Sequence, residues 1–160
     1  MSVYLSVAPP DGFTRWSAPD WDRWLRDHPW EAAERICSTG DWAIFFYQLR
    51  ANSVRGRKLI EPHLDALVNE RPLETQGCDD VLSGLRLARE ELAQVPATRL
   101  VEQNNQFVAA EDLQSMITAA QSRVQRAPSC ADVWADLFTR VIAIFESAQK
   151  QKRGVYFGNV

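Results

Sequence analysis

Residues 129–154 read SCADVWADLFTRVIAIFESAQKQKRG, the longest uninterrupted helical pattern in the chain. Ser129 stands where a helix is capped, and Asp132 follows three residues later, where a carboxylate meets the positive end of the helix dipole. Trp134, Leu137, Val141, Ile144, Phe145 and Ala148 recur at spacings of three and four, while Val133, Phe138 and Ile142 widen the stripe towards a second face. So broad a stripe predicts a core helix over Ser129–Lys152 that is buried on two sides. Lys150, Lys152 and Arg153 oppose its negative C-terminal end, and Gly154 is placed to terminate it.

Beyond that helix, Gly154–Val160 alternates, with Val155, Phe157 and Asn159 on one face. At the other end of the chain, Ser2–Val7 alternates Val3, Leu5 and Val7 with Ser2, Tyr4 and Ser6, until Pro9 and Pro10 stop it. Two strands make a poor sheet alone, so these two are expected to pair with each other and to pack on helices.

The punctuation between them is helical. A short helix is expected from Ser17, Pro19 and Asp20 through Asp27, with Trp21, Trp24 and Leu25 on one face. A second starts at Asp27 and Pro29, places Trp30, Ala33 and Cys37 at helical spacing, and closes at Gly40. A third, Asp41–Arg50, carries the dense apolar face Trp42, Phe45, Phe46 and Leu49. Ala51–Lys58 reads as a loop, Glu61–Asn69 as a fourth helix with Pro62 in its first turn, and Pro72–Gly77 as a connection. Asp79 or Asp80 caps a fifth helix with Val81, Leu85, Ala88 and Leu92 inward, and Pro96 ends it. Thr98–Phe107 reads as a loop with at most a short turn. Ala110–Arg126 is a sixth helix built on Leu113, Met116, Ile117, Ala120 and Val124, with Glu111 and Asp112 in its first turn. The expected fold is therefore mainly α in an α+β arrangement: six to seven helices with a small sheet of the N- and C-terminal strands, in a single domain of residues 1–160.

Composition narrows the function classes. The chain has 160 residues, of which 46% are hydrophobic and 24% charged, as in ordinary globular domains. Its longest apolar runs, Ala43–Tyr47 and Val141–Phe145, are too short to cross a bilayer, and no charged-then-apolar leader opens it, so a cytoplasmic protein without membrane contact is expected. Cys37, Cys78 and Cys130 are odd in number and widely spaced, which points to neither a disulfide framework nor a zinc site. Net charge is −3, and residues 61–160 hold ten basic against fourteen acidic side chains. Without a strongly basic face, nucleic-acid binding lacks its main electrostatic contribution, whereas a basic protein partner fits.

Few residues carry reactive chemistry. His63 lies between Glu61 and Asp65, but residues two apart on a helix point to different faces, so neither carboxylate orients its ring; His63 shares a side with Leu67 and reads as structural. His28 has no visible ligand companion. Arg50, Arg55, Arg57 and Lys58 gather around a loop that lacks the Gly-rich phosphate pattern and reads as solvated charge. There is no G-x-S-x-G, no H-E-x-x-H and no Cys/His arrangement with catalytic spacing, so no catalytic residue, metal ligand or cofactor is assigned. Five of the six tryptophans fall in the first 42 residues; Trp21, Trp24 and Trp42 lie on helical stripes, while Trp16 and Trp30 stand near the starts of elements and are the candidate partner-binding aromatics. Glu74, Asp79 and Asp80 cluster around a predicted helix start and are the candidate partner-binding acids.

The strand Ser2-Val3-Tyr4-Leu5-Ser6-Val7, the segment Phe107-Val108-Ala109-Ala110-Glu111-Asp112-Leu113 leading into a helix, and the closing helix followed by Gly154-Val155-Tyr156-Phe157 resemble the YfbM-like family of small bacterial proteins. The resemblance covers the first few residues and about the last third of the chain. It carries no catalytic residue to a position here. Two functions fit the whole reading: a bacterial cytoplasmic immunity protein that neutralises a toxin effector domain through a complementary surface, or a small enzyme or ligand-binding domain using Asp, Glu and Arg side chains in an interhelical pocket.

Overall fold

A computed structural model of the chain describes residues 2–8, 23, 26–27, 34–69, 71–102, 110–123 and 128–158. In chain order these form β1 (Ser2–Val7), β2 (Glu34–Ser38), α1 (Thr39–Asn52), α2 (Arg55–Ile60), a 3-10 turn (Glu61–His63), α3 (Leu64–Val68), α4 (Thr75–Leu92), α5 (Arg99–Glu102), α6 (Ala110–Gln121), α7 (Cys130–Val133), α8 (Ala135–Gln151) and β3 (Val155–Gly158). The fold is α+β and mainly helical.

The terminal strands do pair. β1 is the middle strand of an antiparallel sheet ordered β2-β1-β3, with Leu5 opposite Phe157 and Val7 opposite Val155. Val3, Leu5, Val155 and Phe157 are buried on the face that packs against the helices. The third strand corrects the helix read through Cys37. Glu34–Ser38 is extended and pairs with β1 across a register shift between Val3 and Tyr4. Unpaired backbone groups along the second edge of β1 outweigh a weak local helical spacing, and Ile36, β-branched and buried, suits a strand. Gly40 likewise opens a helix rather than closing one: Ser38 caps α1 by accepting from the Asp41 backbone N–H at 3.0 Å. The helix read over 17–27 falls, apart from residues 23, 26 and 27, outside the described residues, as do Trp16, Trp21, Trp24 and Trp30.

The core forms where α1 meets the C-terminal helix and the sheet. Trp42, Phe45 and Phe46 are fully buried, and edge-to-face ring contacts join Trp42 to Phe46 at 4.8 Å, Phe45 to Phe138 at 4.9 Å and Trp42 to Phe157 at 5.9 Å. The long C-terminal helix is in fact two. Ser129 and Asp132 form a reciprocal capping box on the short α7, and the chain turns at Trp134 before α8 begins. Trp134 packs edge-on to Phe45, and its indole N–H donates to the buried Gln48 side-chain oxygen at 2.8 Å. α8 ends at Gln151 and is capped by Lys152 in the left-handed conformation (φ 54°), two residues before the Gly154 read as its terminator.

α4 runs through the centre and starts earlier than read. Leu73 exchanges two backbone hydrogen bonds with Val155, both of 2.9 Å, which anchors the chain to the sheet and lets the helix begin at Thr75, inside the stretch taken for a connection. The supposed loop Ala51–Lys58 contains α2 from Arg55 onwards, held because Gly56 and Gly84 let α2 and α4 touch: a Cβ on Gly56 would lie 2.6 Å from the Gly84 carbonyl oxygen. The fourth helix is broken into the 3-10 turn and α3. Of the Thr98–Phe107 stretch, residues 99–102 form α5 and 103–107 lie outside the described residues; α6 ends at Gln121, and residues 124–127 lie outside as well. No helix of the described residues is long and apolar enough to cross a membrane.

Candidate functional site

The acids chosen from sequence lie around one helix end. Glu74 occupies the N-cap position of α4 and is exposed, whereas Asp79 and Asp80 sit in its second turn and are half-buried, so they are not the caps they were read as. Successive residues of an α-helix stand about 100° apart, and these two point to different neighbours. Asp79 accepts from the Gln149 side-chain amide of α8 at 3.0 Å. Asp80 accepts from Gln76 at 3.3 Å and lies 3.0 Å from Nε2 of His63. A carboxylate only accepts, so Nε2 of His63 is the donor in that contact. The His63 ring also lies on Gly77, where a Cβ would come within 3.2 Å of Nδ1. His63 is thus oriented by a carboxylate, but one seventeen residues away rather than either sequence neighbour.

Four other exposed carboxylates face an arginine. Glu61 meets Arg50 at 2.9 Å, Asp65 meets Arg71 at 3.0 Å, Glu90 meets Arg55 at 3.6 Å and Glu146 meets Arg86 at 2.7 Å. Among the described residues Glu74, Asp79 and Asp80 have no lysine or arginine in ion-pair contact. In the basic stretch around residues 50–58, Arg50 pairs with Glu61 and Arg55 with Glu90 and Glu91, while Arg57 and Lys58 are exposed. Glu91 reaches across from α4 to the start of α2, accepting from the Ser53 hydroxyl, from the backbone N–H groups of Arg55 and Gly56 at 3.1 and 3.4 Å, and from the Arg55 guanidinium at 3.3 Å. Partial desolvation opposes its charge, but these donors prevail and hold the carboxyl at about 2.

Neither buried thiol offers a nucleophile. Desolvation pushes Cys78 up to about 12 and Cys130 up to about 11. Among the described residues no group of three or more His, Cys, Asp and Glu side chains is placed to hold a metal ion.

A groove is the feature that sequence reasoning missed. Two adjoining cavities of about 330 and 350 Å³ lie between β2, the first turn of α1, α6 and α8, and Asp41 and Met116 line both. The first has an apolar floor of Ile36, Val133, Trp134 and Leu137, with Asp136 and Arg140 at its rim. The second is lined by Ser38, Ile44, Asp112 and Ser115. Arg140 is engaged with Asp136 at 3.5 Å and with the Arg35 carbonyl at 3.5 Å. Asp41 accepts from the Ser38 hydroxyl at 2.6 Å. Among the described residues neither Asp41 nor Asp112 is ion-paired. In the sequence both read as ordinary acids of a helix's first turn, and nothing local tells that two helix starts 71 residues apart share a groove. No family model, curated sequence or solved structure matches the chain.

Proposed function

We propose that this chain is a partner-binding protein which works by covering a basic surface of another protein, in the manner of a cytoplasmic immunity protein that neutralises a toxin effector domain. The observation that carries this reading is the contrast among the carboxylates. Among the described residues Glu61, Asp65, Glu90 and Glu146 are matched by arginines, whereas Glu74 and Asp79 around the start of α4 have no cationic partner and Asp80 meets only the His63 imidazole. Unmatched charge of one sign gives a field that extends outwards and speeds encounter with a surface of the opposite sign, an advantage that internally paired charge has already cancelled. The acidic excess after residue 60 adds to the same field.

The test starts with the product of the adjacent gene, co-purified with this chain and titrated against it at several salt concentrations. Replacing Glu74, Asp79 and Asp80 by Gln, Asn and Asn should slow association by tenfold or more at low salt and flatten its salt dependence, with an unchanged circular dichroism spectrum. Association that ignores both salt and the triple substitution would remove the acidic surface from the reading.

A further inference from the structure

The groove between β2, α1, α6 and α8 has a composition that selects its occupant. Its floor is apolar, through Ile36, Trp134 and Leu137, and its lining includes Asp41 and Asp112, neither in an ion pair among the described residues. Each cavity stands at the low end of the range for small-molecule sites, room enough for one or two long side chains. An occupant must therefore bring an apolar stem and a cationic head. Arginine does so: its methylenes lie along apolar surface while the planar guanidinium, less strongly hydrated than an ammonium, donates a fork of N–H groups to carboxylates. Arg140, which lines the groove, is engaged with Asp136 and with the Arg35 carbonyl.

We propose that this groove seats an arginine carried on an apolar segment of the protein partner, with Asp41 and Asp112 receiving the guanidinium and Ile36 and Leu137 the flanking apolar side chains. The proposal rests on the partner-binding reading and adds a second contact surface to it, distinct from the carboxylates around the start of α4.

The probe is a capped pentapeptide, Leu-Ala-Arg-Leu-Ala, compared with the same peptide carrying citrulline, which keeps the shape of arginine and removes its charge. Titrated against the full chain and followed by amide NMR, the arginine peptide should shift the resonances of Ile36, Asp41 and Asp112 and bind at least tenfold more tightly than the citrulline peptide. Asp112→Lys, a substitution at an exposed position, should abolish that difference, and Asp41→Asn should reduce it. Equal binding of the two peptides, shifts confined to other parts of the chain, or spermidine binding as tightly as the arginine peptide would overturn the assignment. The same two variants measured against the adjacent gene product separate the two readings. Partner binding that Asp112→Lys leaves intact sinks the groove and spares the partner; an arginine-selective groove with no binding by the adjacent product does the reverse.

Discussion

At the scale of single residues, side chains that reach across the fold carry more information than their sequence neighbourhoods. Glu91 stands next to Glu90 in the sequence, with nothing local to mark it, yet it serves as the cap that α2 lacks, since Val54 at the N-cap position has no capping oxygen. Its folded carboxyl, at about 2, lies below its ordinary value of 4.5. The stability it contributes is therefore fully present above about pH 4.5 and is lost as the pH falls towards 2. Glu91→Gln should cost on the order of 1–2 kcal/mol at neutral pH once solvent screening is allowed for, and the wild-type and variant denaturation midpoints should converge between pH 4.5 and 2. A constant gap across that range would mean that the carboxylate's charge is not what holds α2. His63 shows the same lesson in reverse: Glu61 and Asp65 flank it in sequence and pair with arginines, while its partner Asp80 comes from α4.

At the scale of elements, boundaries moved wherever a distant element supplied the decisive contact. The apolar stripes of α1, α4, α6 and α8 were legible because each repeats over several turns and needs no knowledge of what it packs against. α2 was not, since six residues with arginines and a glycine have no stripe to read. Its existence rests on the crossing with α4, where Gly56 meets Gly84. Gly56→Ala should destabilise the protein by about 1–3 kcal/mol, because the added methyl would lie 2.6 Å from a backbone oxygen and 2.8 Å from Ala88 Cβ. Gly40→Ala, with its nearest neighbour at 3.8 Å, should instead stabilise by up to about 1 kcal/mol through helix propensity. Thermal unfolding of the pair checks both; equal shifts of one sign would refute the close crossing.

At the scale of the whole molecule, β3 joins the sheet to the helices. It pairs with β1 on one side, and on the other Val155 exchanges two hydrogen bonds with Leu73 just before α4. Deleting residues 153–160 should strip an edge of β1, take Val155 and Phe157 out of the core and loosen the start of α4, so the truncated chain should melt at least 10 °C lower. An unchanged melting temperature would deny β3 that joining role. Periodicity alone determined that Ser2–Val7 and the stretch after Gly154 are strands, and that the Trp42 and Phe145 faces are core, because alternation and helical spacing are properties of contiguous residues. Tertiary structure decided that Glu34–Ser38 completes the sheet, that the helix read over Ser129–Lys152 divides at Trp134, whose indole bonds to Gln48, and that Asp41, Asp112 and Asp136 line one groove. Each of these depends on a partner remote in sequence, and the pairing, hydrogen bonding or shared cavity that fixes it exists only once the chain has folded.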